Sequence, residues 1–209
     1  MNTRRNLVAG AGAASLVGLG AALLSRSERP APTPARAASD GNGIPNVVLK
    51  AHTGATVRFY DDLLRDKLVV INMMYALCNN TCPPMTYNLV QVQQLLGDRV
   101  GKDIFMYSIT LRPEQDSPED LAQYARQHHV QPGWLFLTGS PPDIERLRFA
   151  LGYYDPDPEV DKQAGRHVGM VRIGNDTARR WGMAPALASP RQIVSHILHM
   201  DTRRPDRAS

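Results

Sequence analysis

The sequence predicts an α/β domain in which a central, mostly parallel β-sheet is flanked by helices. Two apolar runs rich in β-branched residues, at 67–74 and 103–111, have the length and composition of strands that are buried on both faces. Each run is followed by a segment with helical spacing of apolar residues or with helix-capping residues. Strands and helices that alternate in this way along a chain are typical of a parallel sheet covered by helices.

A β-hairpin is predicted ahead of the first buried strand. Its two strands are 47–50 and 56–59, and Gly54 lies in the turn that joins them. The other predicted elements follow in chain order: strand 67–74, helix 85–96, strand 103–111, helix 117–129, strand 133–137, helix 142–151, strand 168–173 and helix 190–200.

Local signals support the boundaries of three of these helices. Met85 is the first of four apolar residues that recur at helical spacing, and Gly97 can end that helix. Ser117 is a good N-cap residue, and the proline that follows it is favoured in a first turn. The last helix has an apolar face formed by Ile193, Val194, Ile197 and Leu198.

The chain is predicted to carry an export signal ahead of a single folded domain. Residues 1–37 begin with two adjacent arginines, continue into a weakly apolar run and end in an A-x-A sequence, which together indicate a twin-arginine signal peptide or a signal anchor. Residues 38–45 are predicted to be a flexible linker, 46–200 the folded domain and 201–209 a loose charged tail.

Composition excludes several classes of protein. Two cysteines in 209 residues exclude a disulfide-rich scaffold and a four-cysteine zinc site. A hydrophobic content of 43% excludes wholesale disorder. Residues 1–40 hold five of the 24 basic and two of the 20 acidic residues, so the rest of the chain carries a net charge of only +1. We therefore expect no nucleic-acid partner.

The two cysteines lie between the first buried strand and the helix that follows it. Cys78 and Cys82 are predicted to lie in a loop at the start of that helix, because Pro83 and the next proline disfavour helix through Cys82. The free N–H groups at a helix start would stabilise a Cys82 thiolate. Three roles remain open for the pair: a structural disulfide, a redox-active dithiol, or two thiolate ligands of a soft metal such as Cu(I).

Two thiolates leave room for a third metal ligand, and a histidine is the best candidate. The six histidines are His52, His128, His129, His167, His196 and His199. His52 is predicted at a hairpin turn, the two adjacent histidines at a helix end, where they would cap it, and the last two on the solvent side of the final helix. His167 differs because it follows a long loop that can reach the carboxyl end of the first strand.

The order of these features resembles the Sco (SenC-type) family. The resemblance covers roughly 46–200: a strand, the C-x-x-x-C-P motif from Cys78 to Pro83, a helix, and His167 ahead of another strand. Family-like segments also occur at 108–119 and 135–139. The chain departs from the family where Arg112 replaces a usual aspartate, at 73–77 before the first cysteine, and between the cysteines.

The resemblance implies a thioredoxin-like fold and one copper ion held by Cys78, Cys82 and His167. It also implies an exported metallochaperone that delivers copper to a respiratory enzyme, either at the binuclear centre of cytochrome c oxidase or in a similar client. The expected location is the periplasm, with anchorage to the inner membrane only through an uncleaved leader. A thiol reductant protein is an expected partner, because exported thiols are prone to oxidation. The alternative is an enzyme, a thiol–disulfide oxidoreductase that reduces the cysteines of a copper-site apoprotein.

Overall fold

Seven strands and five α-helices alternate along the part of the chain that a computed structural model describes, which is residues 43–78, 81–161 and 169–203. The strands are β1 (Val48–Ala51), β2 (Thr56–Arg58), β3 (Leu68–Met74), β4 (Ile104–Thr110), β5 (Trp134–Gly139), β6 (Met170–Asn175) and β7 (Arg180–Pro185). The helices are α1 (Cys82–Leu96), α2 (Pro118–Gln127), α3 (Pro141–Ala150), α4 (Pro158–Asp161) and α5 (Pro190–Met200).

All seven strands belong to one sheet in the order β2-β1-β5-β4-β3-β6-β7. The central strands β5, β4 and β3 pair in parallel, which confirms the predicted α/β class. The parallel pairing is confined to this centre, because β1 and β2 on one side and β6 and β7 on the other add antiparallel pairs. The carboxyl ends of the parallel strands therefore share one edge, where β3 leads into the cysteine segment.

Both faces of the sheet are covered by apolar clusters. All seven residues of β3 are buried, as its uncharged sequence predicts. Alternate side chains of the central strands pack with α1, α2 and α5 on one face. The remaining side chains of these strands pack on the opposite face with α3, the hairpin and a π-helical turn at Phe59–Leu64. This turn was not predicted.

The predicted helices and central strands are confirmed to within a few residues, but β7 has no predicted counterpart. Its six residues include an arginine, a glycine and a proline, and only Ala184 is fully buried. Such a composition fits an edge strand, whose identity comes from pairing with β6 rather than from an apolar pattern. The preceding strand β6 begins at Met170, two residues later than predicted.

The predicted linker and the predicted tail each contain a buried residue. Ile44 lies within the segment 38–45 but is only 2% exposed, so the packed domain includes residue 44. Asp201 lies within the segment 201–209 but is buried and paired with Arg99 and Arg203. The predicted leader, residues 1–37, lies outside the described residues. No helix of the described part is long and apolar enough to span a membrane.

Candidate functional site

The cysteine segment leaves the buried strand β3 after Met74 and enters α1 at Cys82. Cys82 is the first residue of α1, which corrects the prediction that Pro83 keeps it outside the helix. Prolines in the first turn of a helix, here its second and third residues, are tolerated because their missing N–H groups would have no partner within the helix. The strand and the helix thus place both cysteines at the sheet edge where the parallel strands end.

The two thiols lie together and out of solvent. Cys78 is 4% exposed and Cys82 is fully buried, and the two are not joined in a disulfide. The backbone N–H of Cys82 donates a hydrogen bond to Sγ of Cys78, with an N to S distance of 3.3 Å. The first amide of α1 therefore points at the sulfur of Cys78, the residue four positions earlier, and provides polar support for negative charge there.

Cys82, in contrast, lies in an environment that disfavours a thiolate. Burial, followed by its contact with the side chain of Cys78, raises the pKa of the Cys82 thiol to about 12. The charge of Asp116 also raises this pKa. A backbone hydrogen bond from Tyr75 lowers the pKa, but it only partly offsets the other effects. The predicted stabilisation of a Cys82 thiolate by the helix end is therefore wrong for the metal-free protein, because desolvation outweighs the helix end.

Tyr75 and Arg112 form one wall of this site. A hydrogen bond with the side chain of Cys78 is the main reason that the pKa of the Tyr75 phenol is raised, and burial adds to it. The guanidinium carbon of Arg112 lies 4.1 Å from the centre of the Tyr75 ring, a cation–π contact that orients the ring. Arg112, at the position where the sequence departs from the family pattern, thus contacts the tyrosine that hydrogen-bonds to Cys78.

Asp116 fixes the segment between β3 and the cysteines through a hydrogen bond. Its carboxylate is 1% exposed and accepts hydrogen bonds from the backbone N–H of Ala76, at 3.1 Å, and from the Thr110 hydroxyl. The hydroxyl oxygen of Thr110 in turn accepts the N–H of Arg112 at 2.9 Å. In the sequence, Asp116 is only the residue before a helix cap. Its hydrogen bond to Ala76 joins residues 40 positions apart, so local signals could not predict it.

His167 and residues 162–168 lie outside the described residues, but both flanks of this segment are described. The carboxylate of Asp161, just before it, accepts hydrogen bonds from Nη1 and Nη2 of the buried Arg148, at 2.8 and 2.9 Å. Gly169, just after it, accepts the backbone N–H of Ala186 at 2.8 Å. The domain therefore holds both ends of the segment that carries the predicted third ligand.

The other histidines are accounted for by local contacts. Nδ1 of His52 accepts the backbone N–H of Phe136 at 3.0 Å, which ties the hairpin turn to β5. His128 is the C-cap of α2 and packs on Tyr124 with ring centres 4.3 Å apart. Burial, and then the charge of His129, lower the pKa of His128, so its predicted role as a capping cation is not supported. His196 and His199 are exposed, as predicted.

The described part of this site thus offers two sulfur donors. Within residues 43–78, 81–161 and 169–203, no group of three or more histidine, cysteine, aspartate or glutamate side chains is placed to hold a metal ion. Thiolate sulfur is a soft donor and prefers soft metals such as Cu(I) over hard cations. The site is also compatible with a disulfide between neighbouring thiols.

Comparison with known proteins gives a consistent result. The model of the SCO1/SenC family matches residues 46–200. A SCO1 protein homolog of Bacillus subtilis is 28% identical over 118 residues, which cover 54% of this chain and 60% of that protein. A SCO2-like protein of Rickettsia prowazekii is 28% identical over 107 residues, or 50% and 51% of the two chains. The chain thus spans only about half the length of these curated relatives.

Two solved structures share the fold. Yeast Sco1 with copper bound superposes with a TM-score of 0.61 at 17% identity, over 82% of this chain and 100% of that one. Copper-bound ScoI of Bradyrhizobium japonicum gives 0.58 at 19% identity, over 74% and 96%. At such identities the likeness establishes the architecture alone, and it confirms the predicted thioredoxin-like fold.

Proposed function

Because the chain belongs to the SCO1/SenC family, we propose that it is a copper metallochaperone that holds one copper ion through Cys78, Cys82 and His167. The observation that carries this proposal is the pair of buried, reduced thiols at the start of α1, close enough for the Cys82 amide to reach the Cys78 sulfur. A buried dithiol of this kind can chelate a soft cation without rearranging the sheet.

Copper is the cargo that suits this donor set. Two thiolates are half of a tetrahedral zinc site, whereas Cu(I) accepts two or three soft ligands. The neutral imidazole of His167 is the proposed third ligand, supplied from the segment between Asp161 and Gly169. Loading requires both thiols to lose their protons, so copper binding is expected to weaken as the pH falls.

We propose that the client is a respiratory copper enzyme. Copper-bound structures of related proteins come from yeast, Arabidopsis thaliana and Bradyrhizobium japonicum. Another related structure, BsSco, is described as a member of the Sco family of cytochrome c oxidase assembly proteins. Delivery to the binuclear copper centre of cytochrome c oxidase, or to a similar exported copper site, is the function that these relatives support.

The proposed location is the periplasm, with the leader serving as a signal peptide or as an inner-membrane anchor. A related structure from Bacillus anthracis belongs to a SCO1/SenC family lipoprotein, which supports an exported, membrane-attached protein. An exported dithiol is exposed to oxidants, so a thiol reductant protein is proposed as a second partner that returns Cys78 and Cys82 to the metal-binding form.

Copper affinity of the reduced full-length chain tests this function. The competitor is a chromophoric Cu(I) chelator under anaerobic conditions, and the variant is His167→Ala. We expect one tightly bound copper in the parent and binding weaker by about tenfold or more in the variant, which corresponds to about 1.4 kcal/mol or more. His129→Ala, which removes an exposed imidazole elsewhere, is the matched control and should leave the affinity unchanged.

Each other result points to a different conclusion. Absence of tight copper from the reduced parent would contradict the chaperone proposal and favour the thiol–disulfide oxidoreductase. Equal affinity in the parent and in His167→Ala would keep copper binding by the cysteines but exclude His167 as the third ligand.

A further inference from the structure

A second group of soft donor atoms lies at the C-terminal half of α5. A cavity of about 180 Å³ opens between this helix and strands β6 and β7. The residues that line it are Ile173, Gly182, Met183, His196, His199 and Met200. Two imidazoles and at least one thioether line this one small cavity, and the cysteine site uses none of these copper-type donors.

The spacing on α5 makes His196 the helical neighbour of both His199 and Met200. His196 and His199 are three residues apart, and Met200 is one turn after His196. Residues three and four apart on a helix are surface neighbours, with about 5–6 Å between their Cβ atoms. Both imidazoles are exposed, so they are free to turn towards a common ion at the mouth of the cavity.

Gly182 makes room for the thioether. A Cβ atom built on Gly182 would lie only 2.9 Å from the terminal methyl carbon of Met200. The end of the Met200 side chain therefore lies over Gly182 of β7, in space that a larger residue would take only by displacing that side chain. Met183 lines the cavity as well, but its side chain packs in the apolar cluster on the opposite face of the sheet. The available donors are thus His196, His199 and Met200.

We propose that this cavity is a second metal site, which binds one Cu(I) ion through His196, His199 and Met200. Imidazole and thioether are ligands that suit copper, and the thioether favours its soft monovalent state. The Arg180 guanidinium lies close by, since its Nη1 donates to the carbonyl oxygen of His199 at 3.4 Å. Its positive charge repels a divalent ion twice as strongly as a monovalent one, which also favours Cu(I).

This site is separate from the cysteine site. The side chain of Asn175 donates to the carbonyl oxygen of Met200 at 2.8 Å, and Asn175 pairs with Leu68 at the first position of β3. The cysteines follow the last position of the same strand. Seven strand residues span roughly 20 Å, so the two groups of ligands lie at opposite ends of the sheet. The proposal therefore does not rest on the proposed function.

Cu(I) binding to the full-length Cys78→Ser/Cys82→Ser variant is the first test, because that background removes the cysteine site. We expect this variant to keep one copper equivalent, measured by competition with a weak Cu(I) chelator. His196→Ala/His199→Ala in the same background should weaken that binding at least tenfold, and His129→Ala should not change it. Absence of copper, indifference to the two α5 histidines, or loss with His167→Ala instead would overturn the proposal.

A second measurement leaves the cysteines in place, in case their replacement unfolds the domain. The full-length chain carries isotope-labelled methionine methyl groups, and NMR spectra follow the addition of Cu(I) beyond the first equivalent. The Met200 methyl signal should shift with the second equivalent, and His196→Ala/His199→Ala should abolish that shift. A Met200 signal that does not move with added copper would refute the site, whatever happens at Cys78 and Cys82.

Discussion

At the scale of single residues, the cysteine pair shows how desolvation competes with a helix end. The first amide of α1 bonds to Sγ of Cys78 rather than to that of Cys82. Cys82 is fully buried, next to a second sulfur and within reach of the Asp116 charge. The two thiols therefore lie in different environments, and that of Cys82 makes its thiol hard to ionise.

This environment predicts slow alkylation of Cys82 in the reduced, metal-free protein. Only the thiolate reacts, and a pKa of about 12 keeps Cys82 protonated at pH 8. The Cys78→Ser variant loses the contribution of the Cys78 side chain but keeps burial, the largest cause of the raised pKa. In this variant, we expect iodoacetamide to modify folded Cys82 at least about a hundredfold more slowly than the same chain in urea, where the thiol pKa is about 8.5. Mass spectrometry of quenched samples gives both rates.

The pH profile provides the control for accessibility. The rate in the folded chain should rise about tenfold for each pH unit from 7 to 10, because the pKa lies above this range, whereas the unfolded chain should level off above pH 9. A folded-state rate that levels off near pH 8 would show that the helix end has lowered the pKa of Cys82 after all.

At the scale of elements, α3 anchors the start of the segment that carries His167. Arg148 is buried on α3 and binds both carboxylate oxygens of Asp161, the last residue of α4. The same guanidinium contacts Glu145 and the carbonyl oxygen of Tyr153. Asp161 also accepts the backbone N–H of Asp155 at 2.8 Å, so one carboxylate closes the α3–α4 connection.

Asp161→Asn should therefore weaken the domain although it preserves the side-chain shape. It removes the charge that Arg148 faces, and hydrogen bonds to charged groups are worth about 1.5–3 kcal/mol. We expect a loss of that size in the free energy of unfolding, measured by urea denaturation. Asp157→Asn is the matched control, since Asp157 is exposed and its acceptor oxygen for the Glu159 N–H is retained in asparagine. Similar losses in both variants would contradict a specific role for the Arg148 pair.

At the scale of the whole molecule, the C-terminal end of α5 is tied to the region after α1. Asp201 is the C-cap residue of α5, and its carboxylate pairs with Arg99, 102 positions earlier. Burial alone would raise the pKa of Asp201, but the hydrogen bond from Arg99 and the contacts with Arg203 lower it below its usual value. The ion pair therefore stabilises the folded chain in the pH range where Asp201 is ionised.

Asp201→Asn should lose stability in a pH-dependent way. The folded-state pKa is below the unfolded value of about 3.9, so the contribution is fully present above that value and disappears as the pH falls through the folded-state pKa. We expect the parent to exceed the variant by about 1.5–3 kcal/mol at pH 7 and the difference to vanish in strong acid. Urea denaturation at a series of pH values measures this difference. Asp98→Asn, at an exposed neighbour of Arg99, should show little change at any pH.

Most of the architecture could be predicted because its signals are local. The uncharged run of β3 is buried at all seven positions, and Ser117 caps α2 as predicted, with reciprocal hydrogen bonds to Asp120. The placement of the cysteines between a strand and a helix also follows from adjacent residues. The strand β7 could not be predicted, since its six residues lack an apolar pattern and pair only after β6 is in place.

The sequence by itself determined the α/β alternation, the helix ends and the position of the two cysteines, because propensity, capping and apolar periodicity act between near neighbours. Only the tertiary structure decided the chemistry of the site. The carboxylate of Asp116 reaches the cysteine segment across 40 positions, and the burial that raises the pKa of Cys82 comes from packing against the sheet. Desolvation and long-range hydrogen bonds depend on which residues the fold brings together, and that information is not local in the chain.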